Sequence, residues 1–146
     1  MYKKILVPLD GSTVAEGVLP HAKALAYSEG AEIILLRVAV NPALEFSFSD
    51  PTLAENAVED LENQSQKYVA EVQAQLKNEG YKVSSQIAEG AVAEVILREA
   101  EALGADVIAM STHGRTGPAR WLLGSVADRV VRNAKIPVML IRAGGS

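Results

Sequence analysis

Short aliphatic runs alternate along the chain with longer segments whose apolar positions recur every three or four residues. Ile5, Leu6 and Val7 predict a first strand, closed by Pro8, Asp10 and Gly11. A helix is expected next. Thr13 and Glu16 fit a capping box, and Val14, Val18, Ala22, Leu25 and Ala26 share one face. Pro20 predicts a kink or a late start, and Gly30 a stop. Residues 33–40 are nearly all aliphatic and read as a central strand, whereas residues 41–50, with Pro42, Phe46 and Phe48, read as a loop. Leu53, Ala57, Leu61, Tyr68, Val72 and Leu76 then mark one side of a long helix over residues 51–79. Residues 83–88 are a more polar strand, expected at an edge. Val92, Val95, Ile96, Ala100 and Leu103 line a third helix between Gly90 and Gly104. Residues 107–110 form a fourth strand, residues 125–133 a last helix and residues 136–141 a last strand, before a short frayed tail.

Repeated strand–helix–strand units with right-handed crossovers predict an α/β fold. The expected architecture is a single-domain, Rossmann-like open sheet of five mostly parallel strands with helices on both faces, in the order 3-2-1-4-5. Ligands of such sheets sit outside the carboxyl ends of the strands, where the strand order reverses. With the first and fourth strands adjacent, that point lies between Asp10 and Met110.

Composition narrows this further. At 146 residues the chain fits one domain, 1–146. Apolar residues make up 49% and aromatics only 5%, which suits an aliphatic parallel sheet. The net charge is −4 and the cations are scattered, so a nucleic-acid partner is not expected. With no cysteine there is neither a disulfide nor a thiol nucleophile. No apolar run reaches the roughly 20 residues of a membrane span, and the first apolar run is too short for a signal peptide. No membrane association and a cytoplasmic location are therefore expected.

The chemistry concentrates between the fourth strand and the last helix. Gly124 lacks a Cβ and lets backbone approach a ligand, Ser125 is a candidate N-cap with Asp128 as its partner, and the helix start offers free amides to an anion. Gly114 and Gly117 let the loop fold over the same point, with Arg115 and Arg120 as phosphate-binding cations. There is no Walker lysine and no G-x-G-x-x-G after the first strand. On physical grounds alone, an anion site and a plain set of turn and cap glycines both account for this segment.

Three motifs in order carry a resemblance: Val7-Pro8-Leu9-Asp10-Gly11-Ser12, the run from Ser111 through Gly114 to Gly124-Ser125-Val126-Ala127, and Ile136-Pro137-Val138-Met139-Leu140-Ile141. Over essentially its whole length the chain resembles the universal stress protein family, and the central motif is similar to that family's ATP-binding pattern of G, two residues, G, nine residues, G and Ser or Thr. Ser111 stands where the pattern begins with glycine, a departure that matters if that backbone needs a positive φ.

The resemblance implies roles. Asp10, with Pro8 and Leu9 beside it, would contact ribose or base, or simply form an Asx-turn. Val38 would meet adenine through its backbone, or be plain core. Met110, Ser111, Thr112 and Gly114 would line the ribose, and Arg115, Gly124, Ser125 and Val126 would hold phosphates accompanied by Mg²⁺. Gly90 and Ala91 approach the nucleotide or serve only as a cap.

Other features read as structural. His113 has no partner carboxylate in the motif and is read as shaping the loop, and His21 as solvated or structural. Two isolated histidines do not make a metal site. Asp50, Glu55, Glu59, Asp60 and Glu62 form a wet helix face, and Trp121 is a packing or interface residue. The last strand, if at an edge, would pair with its copy in a homodimer, with Ile136, Val138 and Leu140 facing one way. The resemblance implies the same dimer.

The reading that follows is an ATP-binding regulatory, stress-response switch with at most slow hydrolysis. Its alternatives are a nucleotide-free interaction module and an adenylyl-transfer or hydrolytic enzyme on the same scaffold. The chain shows no hydrolase elbow.

Overall fold

The computed structural model describes residues 1–39, 51–113 and 124–143. Five strands, β1 (Lys4–Leu9), β2 (Glu32–Ala39), β3 (Lys82–Glu89), β4 (Val107–His113) and β5 (Val138–Ala143), form one sheet. Its order is β3-β2-β1-β4-β5 and every neighbouring pair is parallel. Helices α1 (Thr13–Glu16), α2 (Leu19–Glu29), α3 (Pro51–Asn78), α4 (Val92–Ala102) and α5 (Ser125–Asn133) connect them.

The period-2 alternation of a strand divides the core into two layers. Ile5, Val7, Leu9, Ile33, Leu35, Val107 and Ala109 pack with Val18, Ala22 and Ala26 of α2 and its entry and with Val69, Val72 and Leu76 of α3. On the opposite face Leu6, Ile34, Leu36, Ile108 and Met110 pack with Ala93, Val95, Ile96 and Ala100 of α4 and Ala127 and Val130 of α5. Both faces of the middle strands are thus covered, which explains why β1, β2 and β4 read as continuous aliphatic runs. The polar β3 and the β5 strand lie at the two edges, as expected.

The boundaries correct several local expectations. The first predicted helix is two helices. Gly17 closes α1, and Pro20 falls in the first turn of α2, where its missing N–H costs nothing. Ser12, not Thr13, caps α1, its Oγ accepting from the Ala15 amide at 3.1 Å. Gly124, not Ser125, occupies the N-cap of α5. The last strand runs two residues later than expected. Residues 40–50 and 114–123, and the end of the tail, lie outside the described residues, and with them Gly114, Arg115, Gly117, Arg120 and Trp121.

Pro8 shapes the middle of the sheet. The Lys4 carbonyl accepts from the Asp106 amide at 2.9 Å, so even-numbered residues of β1 address β4. Beyond Leu6, the next amide due on that side belongs to position 8, where proline has none. The β1–β4 register accordingly stops at Leu6↔Ile108, while β1 stays paired with β2 as far as Leu9↔Arg37. The two central strands part at their carboxyl ends.

At the opposite end Asp106 fixes the same strand pair, its Oδ2 accepting from the amides of Lys3 at 2.8 Å and Lys4 at 2.9 Å. Those two bonds hold its carboxyl below the ordinary value. A depressed folded-state pKa means that this stabilisation is present above the ordinary aspartate value, about 4. It is lost as pH falls through the lower folded value. Asp106→Asn is expected to lower the melting temperature at neutral pH and to flatten its decline on acidification below about pH 5. Thermal melts of both proteins from neutral to strongly acidic pH check this.

Candidate functional site

The parting of β1 and β4 opens a cleft of about 380 Å³ at the carboxyl ends of the strands, within the range of small-molecule sites. Its floor is Pro8, Leu9 and Asp10 of the β1 end, Val38 of β2, and Met110, Ser111 and Thr112 of β4. Gly124, Ser125 and Val126 close the side toward α5. Ten residues expected from the sequence therefore meet around one cavity. Gly114 and Arg115 lie outside the described residues, so their expected part is not placed.

The α5 end has the chemistry of an anion site. Gly124 makes no side-chain cap, and the amides of Ser125, Val126 and Ala127 begin the helix. Asp128 does not fold back to cap them. Its two carboxylate oxygens accept from Arg132 Nε at 2.9 and 3.0 Å instead, so the expected Ser125–Asp128 box is absent. Gly124 has φ −63°, which any residue adopts, and among the described residues a Cβ there would meet only Thr112 Oγ1, at 3.7 Å. Neither backbone conformation nor packing against the described residues demands glycine at this position. What a side chain would fill is the cleft.

Gly90 is the contrast. Its φ is +141° and a Cβ would meet Val95 Cγ2 at 3.0 Å, so the backbone alone accounts for it. Neither Gly90 nor Ala91 lines the cleft; Val92 does.

The α1 side is held by side-chain bonds. Asp10 Oδ1 accepts from the Ser12 amide at 2.8 Å and from Ser12 Oγ at 2.5 Å, the Asx-turn that its position allows. Ser111 Oγ donates to the Ala15 carbonyl at 3.4 Å. Among the described residues no non-glycine has a positive φ, so serine in place of the motif's glycine strains nothing and gains a tie to α1. Thr112 is only 8% exposed and faces Gly124 across the cleft.

Six residues of the wall were not expected there: Val14, Ala15, Arg37, Val92, Ile96 and Ala127. Val14, Val92 and Ile96 were read as the core faces of their helices; Val92 and Ile96 do pack in the core beneath α4, whereas Val14 is only half-buried and belongs to neither core layer. Arg37 had a visible signal, a cation inside an otherwise aliphatic strand.

Nearby, burial, followed by the charges of Glu16 and Asp10, pushes the Tyr68 phenol above its usual range. It stays protonated at neutral pH and cannot serve as a base there. His21 is exposed, and the His113 side chain lies outside the description. Among the described residues no group of three His, Cys, Asp or Glu side chains could hold a metal. Nor is any described helix long and apolar enough to cross a membrane.

Comparison with known proteins converges on one family. The family model described as "Universal stress protein family" matches residues 1–142. Universal stress protein MJ0531 of Methanocaldococcus jannaschii is 36% identical over 143 residues, covering 97% of this chain and 83% of the relative. Universal stress protein MJ0577 of the same organism is 34% identical over 159 residues, covering 100% and 98%. The solved structure of MJ0577 superposes with a TM-score of 0.85 at 32% identity, covering 100% of this chain and 99% of that one. A universal stress protein family member from Burkholderia pseudomallei gives 0.76 at 29%, with 97% of each chain covered.

Proposed function

The chain belongs to the universal stress protein family, and from that premise we propose that it is an ATP-binding regulatory protein of the stress response, a nucleotide switch rather than a dedicated enzyme. The observation that carries this reading is the cleft between β1 and β4, with the unclosed amino end of α5 at one side and the ends of β1 and β2 at the other. Phosphates would sit on the amides that follow Gly124, helped by the helix dipole and, as the motif implies, by Arg115 and the backbone at Gly114. The ribose would lie over Met110, Ser111 and Thr112, and the base toward Val38. Pro8, Leu9 and Asp10 would form the floor beneath them.

Mg²⁺ would enter with the phosphates, held by their oxygens and water, as that ion commonly is. The described residues supply no cage of their own. Hydrolysis would be slow, because the motif pairs no carboxylate with His113 as a positioned base and no Walker-type lysine follows the loop glycines. The switch itself requires that nucleotide favour one arrangement of the cleft walls over another.

Mass spectrometry of small molecules released from the purified protein tests the reading. Recovered ATP, or a filled site after ATP titration, is the expected result. A cleft that ATP at millimolar concentration cannot fill overturns it.

The same reading includes a cytoplasmic homodimer built on β5, which is an edge strand with Val138 and Leu140 on one face. Pairing two copies would cover both edges. Val138→Lys is expected to shift the protein to monomer in gel filtration, with far-UV circular dichroism retained. An unchanged elution volume counts against this interface.

A further inference from the structure

Arg37 lies at the β2 end of the cleft, across β1 and β4 from the helix amides of α5. We propose that Arg37 sets base selection. Its guanidinium competes for the sheet carbonyl that would receive the exocyclic amine of a 6-aminopurine, so the cleft takes 6-oxopurine nucleotides alongside ATP. This rests on the nucleotide reading of the same cleft and deepens it.

In a parallel ladder the amide and carbonyl of one residue address the same neighbour, and alternate residues address opposite neighbours. The Ala39 carbonyl accepts from the Gly90 amide at 3.3 Å, on the β3 side, and the Glu32 amide donates to the Lys3 carbonyl at 2.9 Å, on the β1 side. Val38, even-numbered like Glu32, therefore points its carbonyl toward β1. But β1 ends its pairing at Leu9↔Arg37, one step too early to meet that oxygen. The Val38 carbonyl is thus the first sheet acceptor past the end of β1, at the rim of the cleft. Arg37 Nη1 donates to it at 3.3 Å.

The guanidinium has no competing anchor among the described residues. No carboxylate there lies within ion-pair distance of it, and its buried Nε has no acceptor. The Val38 carbonyl is the one hydrogen-bond acceptor it has among them. The rim accordingly presents a cation where a bare strand end would present an acceptor. An adenine amine must share the Val38 oxygen with Arg37. A 6-oxo group meets donors, the complementarity by which arginine reads the O6 and N7 edge of guanine.

ATP and inosine triphosphate differ at the C6 substituent and the proton on N1 that goes with it, so their affinities isolate this edge. One neutral hydrogen bond shared or regained corresponds to about three- to tenfold in affinity. The parent protein is expected to prefer ATP over inosine triphosphate by less than about tenfold. Arg37→Met keeps an unbranched stem in the half-buried site and frees the carbonyl. It should raise the preference for ATP by about three- to tenfold. A merely structural role would weaken both ligands together and leave the ratio unchanged. A ratio in Arg37→Met equal to that of the parent overturns the proposal, as does a parent that already prefers ATP by more than about a hundredfold. If neither nucleotide binds the parent, the nucleotide reading itself falls, and this inference with it.

Discussion

Replacing Gly124 by valine is expected to weaken ATP binding by about 30- to 100-fold, the equivalent of one charge-assisted contact, while the protein stays folded. Its φ of −63° lies in a region that β-branched residues adopt freely, and the nearest atom to a new Cβ among the described residues, Thr112 Oγ1, is 3.7 Å away. The valine would instead place two methyl groups over the amides of Ser125 and Val126 and hold phosphate oxygens out of hydrogen-bond reach. Isothermal titration of parent and variant with ATP reads the loss, and a thermal melt reads the fold. Gly124→Val binding ATP like the parent would mean that phosphates do not sit on the start of α5. Gly90 is the natural control: there φ is +141° and a Cβ would stand 3.0 Å from Val95 Cγ2, so valine at position 90 would damage folding itself.

The second large effect belongs to the core. Leu35 is fully buried in β2, in the layer beneath α2 and α3. Leu35→Ala is expected to cost about 2–5 kcal/mol, from lost transfer energy plus the cavity left behind. Against a typical stability of about 5–15 kcal/mol, that removes a large share of the total. Urea unfolding should show a lower midpoint with an unchanged slope. A shift of less than about 1 kcal/mol would mean that the neighbouring helices collapse onto the gap.

The strands and their order were legible because a parallel sheet covered on both sides leaves uninterrupted aliphatic runs, as at β1, β2 and β4, and leaves its polar strand, β3, at an edge. The long α3 announced itself by period. Helix starts were less legible, since several residues compete for each cap. Ser12 won over Thr13 because Asp10 had already bent the chain through it. Ser125 lost its expected partner because Asp128 found Arg132 one turn away. Spacing along the chain decides neither contest, because every competitor stands at a permitted distance.

In the candidate site, Gly124 and Ser125 could be picked out by chemistry alone. Strand order placed Asp10 beside the ligand point, whereas Val38 came only from the family resemblance, because nothing local distinguishes a buried valine from a ligand contact. Arg37 was the opposite case, a cation in a buried strand whose aliphatic neighbours dominate the pattern. Its meaning emerged only when the register showed which carbonyl lay within its reach.

The absent amide of Pro8 carries a consequence for the life of the molecule. A gap held open by side chains can be shut by a rotamer change, a proton or a neighbour. One that exists because a nitrogen bears no hydrogen cannot be zipped by any of these. The bond missing from the middle of this sheet is written into covalent structure, and neither a side-chain change nor a ligand can supply it.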